Sequence, residues 1–195
     1  MPGTGIHLLV AHAIEPDASG AFFFGSFAPD YEQERAPKDA IHLRKEPDRL
    51  AALTTLRDGL DMRDDFTRGW VLHLFTDLLW DESLLAQYRR AYTGGDDTRG
   101  DWFYPYREEL GLTTSYLYRQ APWMDVVMRC VRAVNVRAIQ AGLPVDKDKL
   151  EWWRNRTCLK HSETEPGVRL GYYTLDMLND FAARTAKEWR VWHSK

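Results

Sequence analysis

The stretch WVLHLFTDLLWDE, residues 70–82, is apolar on nearly every side when wound at the helical period. That pattern belongs to a helix enclosed by others. Yet it carries His73 and Asp77, and the i, i+4 spacing sets their side chains next to each other. A carboxylate left unpaired in such surroundings costs several kcal/mol, so Asp77 needs a partner. Two partners satisfy it. One is His73 alone, in a hydrogen-bonded core pair. The other is a metal cation, which takes an imidazole nitrogen and a carboxylate oxygen from one helix face.

Working outward, helical periodicity dominates the chain. Residues 6–15 read as a short helix, and further helical patterns cover 47–59, 64–93 and 105–119. The segment from Trp123 to Ala141 reads as an amphipathic helix, with Pro122 at its first turn, Gly142 at its stop and Asp125, Arg129 and Arg132 on its solvent side. Another runs from Leu175 to Trp192, with Leu175, Leu178, Phe181, Ala182, Thr185, Trp189 and Trp192 facing inward. The passage AFFFGSFAPDYEQERAPKDAIHL (residues 21–43) reads as largely irregular, broken by Gly25, Pro29 and Pro37. Its FFF run suits a short strand, but no other segment pairs with it. The expectation is an all-α fold.

At 195 residues the chain fits a single domain over 1–195, and 44% hydrophobic residues suffice for a sizeable core. A net charge of -3 with both signs interspersed leaves no electrostatic footprint for nucleic acid, and no nucleic-acid partner is expected. Cys130 and Cys158 lack the paired spacing of a zinc–thiolate site and read as reduced thiols. The start MPGTGIHLLVAHAIEPD has no basic n-region, and no run approaches the ~20 apolar residues of a membrane span. A cytoplasmic protein without a transmembrane segment is the expectation.

Other residues of the N-terminal half have the same chemistry as His73 and Asp77. His7 precedes LLVAHAI, Asp30 lies in GSFAPDY beside Pro29, and His42 ends KDAIH. Each has a local explanation: a helix cap for His7, a turn or cap for Asp30, a surface histidine for His42. One shared site is more economical.

The order IHLL, FGSFAPDY, K-x-x-x-H, W-x-x-H-x-x-x-D resembles the bacterial zinc-dependent phospholipase C family, above all its non-secreted relatives, over about residues 1–85. The resemblance implies an all-α single-domain multi-helix bundle of the zinc-dependent phospholipase C and single-strand nuclease type. It implies a primary metal held by Asp30, His42, His73 and Asp77, with His7 beside it and Asp77 able to bridge two ions. One or two divalent ions are expected, zinc first, with iron, manganese or nickel also suited to imidazole and carboxylate donors. Asp30 corresponds to the carboxylate that orients or deprotonates the attacking water. The implied function is a metal-dependent hydrolase, a phosphoesterase acting on a small-molecule or lipid phosphoester.

The sequence departs from the family after the central helix, where LLWDESLLAQYRRAY contains no histidine. Asp81, i+4 from Asp77, and Glu82 are the nearby carboxylates. His161, in CLKHSETEPG, reads as an exposed loop residue. Lys38, Arg44 and Lys45 flank His42 and suit contact with a phosphate, but read first as a solvated basic face. The aromatic clusters at Trp102–Tyr104, Trp123, Trp152–Trp153 and Tyr172–Tyr173 suit either a core or a cleft wall. The competing reading is a non-catalytic helical protein with a structural metal and a partner-binding aromatic surface. A His-Asp phosphohydrolase is set aside, because none of the six histidines is followed by aspartate.

Overall fold

In the computed structural model, which describes residues 2–93, 102–140 and 142–194, the chain runs α1 (Thr4–Ile14), α2 (Gly20–Gly25), α3 (Arg35–Ile41), α4 (Arg49–Asp58), α5 (Asp65–Trp80), α6 (Ala86–Thr93), α7 (Phe103–Gln120), α8 (Met124–Arg132), α9 (Lys147–Glu163) and α10 (Leu175–His193). No strand occurs among the described residues.

The WVLHLFTDLLWDE segment builds the centre of this arrangement. Asp64 caps α5 by accepting a hydrogen bond from the Thr67 amide (2.8 Å). Every α5 residue except Asp65, Arg68 and Leu79 is buried, because α1, α2, α4 and α10 all pack against it. Phe75 meets Trp189 and Trp192 of α10, with ring centroids 5.6 and 5.0 Å away. A π-helical turn, Asp81–Leu85, carries α5 directly into α6.

The passage over 21–43 is more ordered than its glycines and prolines suggest. Ser19 caps α2, and Phe22, Phe23 and Phe24 are buried on that helix rather than in a strand. Three consecutive phenylalanines point three ways around α2, and α5, α8 and the following turn cover all of them. Pro29 and Pro37 both fall in first turns, of the 3-10 turn Ala28–Tyr31 and of α3 respectively, where no amide donor is needed.

Two expectations for the C-terminal half are corrected. The helix beginning near Trp123 stops at Arg132, and Asn135 then caps a separate 3-10 turn, Val136–Ala138, by accepting from the Arg137 amide (3.1 Å). Its expected end, Ala141, lies outside the described residues. The second correction is at His161, read as a loop residue but carried on α9, a helix that the hydrophobic pattern does not announce. Asp146 caps it by accepting from the Asp148 and Lys149 amides. On α10 the expected inward face is observed, except that Leu175 is exposed.

Residues after 102 enclose the N-terminal half. Helices α7 and α10 flank α1, α8 lies on α2, and α9 lies on the 3-10 turn at 28–31. There the Trp153 indole donates to the Phe27 carbonyl (3.1 Å), and Lys149 pairs with Glu32 (2.8 Å). No described helix is long and apolar enough to cross a membrane.

Candidate metal centre

His7 stands on the second turn of α1, Asp30 on the 3-10 turn, His42 at the C-cap of α3, and His73 and Asp77 one turn apart on α5. The fold brings all five together, and all five are buried. His7 Nε2 lies 3.4 Å from Asp77 Oδ1, while His42 Nε2 and His73 Nε2 lie 3.7 and 3.8 Å from Asp77 Oδ2. His42 Nε2 is 3.6 Å from Asp30 Oδ1. The His7 and His73 rings stack, with centroids 3.9 Å apart. Two overlapping triads, His7–Asp30–His73 and His42–His73–Asp77, each place their donor atoms within 4.8 Å of one another.

Backbone carbonyls fix how the imidazoles point. His42 Nδ1 is 2.7 Å from the Lys38 carbonyl, and His73 Nδ1 is 2.9 Å from the Ser26 carbonyl. A carbonyl only accepts, so both Nδ1 atoms carry a proton and donate, which turns each Nε2 toward the cluster. Those two Nε2 atoms are 3.1 Å apart. Two ligands about 2.0–2.1 Å from one ion are separated by about 3 Å. The His42–His73 pair therefore has the dimensions of one edge of a coordination shell. His7 Nε2 and both Asp77 oxygens are buried without a hydrogen-bond partner, while Asp30 Oδ1 faces the Lys38 ammonium. Unsatisfied buried groups at this density call for an explanation, and these His and Asp groups could hold a metal ion.

The electrostatics agree. Burial, helped by His7, pushes the His73 imidazole down to about 3, so it is neutral and able to ligate. For Asp77 burial works upward, but His73, His7 and His42 outweigh it and hold the carboxyl well below its usual range. The same contest at Asp30 is won by the His42 hydrogen bond and the charges of His73 and Lys38. Imidazoles and carboxylates without thiolates suit zinc and other divalent transition metals. The residue after His42, Leu43, has φ +53°, in the left-handed region that a branched aliphatic side chain rarely adopts. That turn lets the chain leave α3 while His42 faces inward.

Asp81 does not join the cluster; it pairs with Arg49 (3.0 Å), which also reaches the His42 carbonyl (3.5 Å). Glu82 is exposed. His161 sits on α9 rather than in an exposed loop, buried against Tyr118 and 3.2 Å from Asp125. Lys38 belongs to the centre and not to a solvated face, for its Nζ is 2.8 Å from Asp30 Oδ1. The signal was its spacing: Lys38 precedes His42 by four residues, as His73 precedes Asp77.

Comparison with family models, with curated proteins and with solved structures finds no match.

Proposed function

We propose that this chain is a metal-dependent hydrolase acting on phosphoesters, built on a helical bundle of the zinc-dependent phospholipase C and single-strand nuclease type. The observation that carries the reading is the His42–His73 edge, 3.1 Å across with both Nδ1 atoms anchored on carbonyls, beside the two buried carboxylates Asp30 and Asp77. The order of these residues along the chain supports the family. Zinc is the first choice of metal.

A divalent ion held here supplies a Lewis acid for a phosphoryl oxygen and acidifies water toward neutrality. The protein's part falls to named side chains. His42, His73 and Asp77 would hold the ion, and His7 faces the remaining Asp77 oxygen. Asp30 is ionised and lies at the rim, with a side chain 10% exposed against 0% for His7, His42, His73 and Asp77. From that position it accepts a proton from, or orients, an incoming water.

One observation favours a second reading, a structural metal that ties α1, α3 and the 3-10 turn to α5. Four of the five side chains are sealed from solvent, as in a closed site. Elemental analysis of wild type and Asp77→Ala comes first. Near-stoichiometric metal in the wild type alone establishes the centre. Zinc-loaded protein is then assayed on p-nitrophenyl phosphate, bis(p-nitrophenyl) phosphate and phosphatidylcholine vesicles. Turnover that disappears in Asp30→Asn supports the hydrolase; metal without turnover on any of the three gives the structural reading.

A further inference from the structure

Lys38 stands where the centre comes nearest to solvent. Its side chain is 18% exposed and that of Asp30 10%, while the other members of the cluster are closed off. Its two ends do different work. The backbone carbonyl accepts the His42 Nδ1 proton at 2.7 Å, which fixes Lys38 in register with that imidazole. The ammonium reaches back over the same turn of α3 to Asp30 Oδ1 at 2.8 Å.

Charge decides what such an ammonium does. The cluster contains two carboxylates, Asp30 and Asp77, and one ammonium, with ligating imidazoles neutral. That set is one unit negative. A divalent cation makes it one unit positive, and draws the Asp30 carboxylate charge toward itself. The Lys38 ammonium, largely removed from water, is then under-compensated and needs an anion. A lysine is a compact, three-donor charge suited to a phosphoryl oxygen.

We propose that Lys38 is the substrate-anion residue of this centre: it exchanges part of its contact with Asp30 for a non-bridging phosphoryl oxygen, and so selects anionic phosphoesters. The inference rests on the metal-dependent reading above and adds the substrate charge to it. No bond is made or broken at Lys38, and its proton stays in place.

The test is titration calorimetry of inorganic phosphate into zinc-loaded wild type, Lys38→Gln and Lys38→Arg, with zinc per chain measured on each. Lys38→Gln is expected to keep its zinc and bind phosphate about tenfold more weakly, about 1.4 kcal/mol. Lys38→Arg, which keeps the charge, is expected to restore most of the affinity. Equal phosphate affinity in wild type and Lys38→Gln, both carrying zinc, overturns the inference and leaves Lys38 as a partner of Asp30 only. Loss of zinc in Lys38→Gln also overturns it, since the lysine then organises ligands instead of substrate. A wild type that takes no zinc at all removes the metal reading, and this inference with it.

Discussion

Gly25 of α2 and Gly69 of α5 meet backbone to backbone where the two helices cross. A Cβ on Gly69 would run into the Phe22 carbonyl and stand 2.9 Å from the Ser26 amide; one on Gly25 would run into the Phe66 carbonyl. This close approach has a consequence at the candidate metal centre. The residue after Gly25 is Ser26, whose carbonyl accepts the His73 Nδ1 proton at 2.9 Å. Two glycines thus set the depth at which α2 lies on α5, and that depth orients an imidazole.

Gly69→Ala is therefore expected to cost about 1–3 kcal/mol, the usual range for overpacking a tight core. Backbone atoms on the facing helix are the obstacle, so no side-chain rotation relieves it. Urea denaturation of the metal-free protein measures the cost. Gly111→Ala is the control, because nothing lies within 4 Å of its added Cβ. A Gly69→Ala midpoint equal to wild type would mean that the helices separate freely and that the crossing does not set His73.

Metal binding is expected to appear as folding stability. A ligand at one hundred times its Kd adds about 2.7 kcal/mol to the folded state. For a chain of 195 residues that corresponds to about 5–10 °C in Tm. Saturating zinc should raise the wild-type Tm by that amount, a chelator should reverse it, and Asp77→Ala should show no rise. An equal rise in Asp77→Ala would place the zinc elsewhere.

Acid should unfold the metal-free protein through the same cluster. His73 titrates near 6.5 when unfolded and is pushed down to about 3 in the fold. Between those values the unfolded chain binds a proton that the native state refuses, so stability falls as pH is lowered from about 6.5 toward 3, by up to about 1.4 kcal/mol per pH unit. Asp77 and Asp30, both held low, extend the loss below the ordinary carboxylate value. His73→Gln should flatten the upper part of the window, above pH 4.5, in equilibrium denaturation series. An unchanged slope in His73→Gln would assign the acid sensitivity to other groups.

What the sequence revealed, and what it hid, follows from how each element is buried. His73 and Asp77 were legible because an apolar helix makes any polar pair conspicuous. His7, Asp30 and His42 were joined to them only by economy and by a resemblance, since each has a local explanation and only the fold brings their segments together. The FFF helix was hidden because α2 is buried all round, and a short apolar run has no period. Helix α9 was hidden for the opposite reason. Its inward positions Leu150, Thr157, Cys158 and His161 include two polar side chains, while Trp152 and Leu159 face out at 47% and 55% exposure. Hydrophobic periodicity cannot find a helix that inverts the rule. Lys38 was read first as solvated surface, and only second as a phosphate contact, because its pairing with Asp30 is invisible until the fold brings the two together.

The work of α9 is the last point to test. Its Trp153 donates to the Phe27 carbonyl, three residues before Asp30, and its Lys149 pairs with Glu32, two residues after. Asp30 is thus held on both sides by one helix from the distant half of the chain. Trp153→Phe keeps the aromatic packing and removes the donor, which should cost about 1 kcal/mol of stability. If the helix positions Asp30, zinc affinity should also fall, by about tenfold, the lower end for supporting contacts around a metal. Trp152→Phe, at a neighbouring exposed position, should change stability by less than about 0.5 kcal/mol. Competition of each variant with a zinc-chelating dye provides the affinities. Trp153→Phe with reduced stability and wild-type zinc affinity would limit α9 to closing the bundle, and the 3-10 turn would then hold Asp30 through its own Pro29 and its packing on α5.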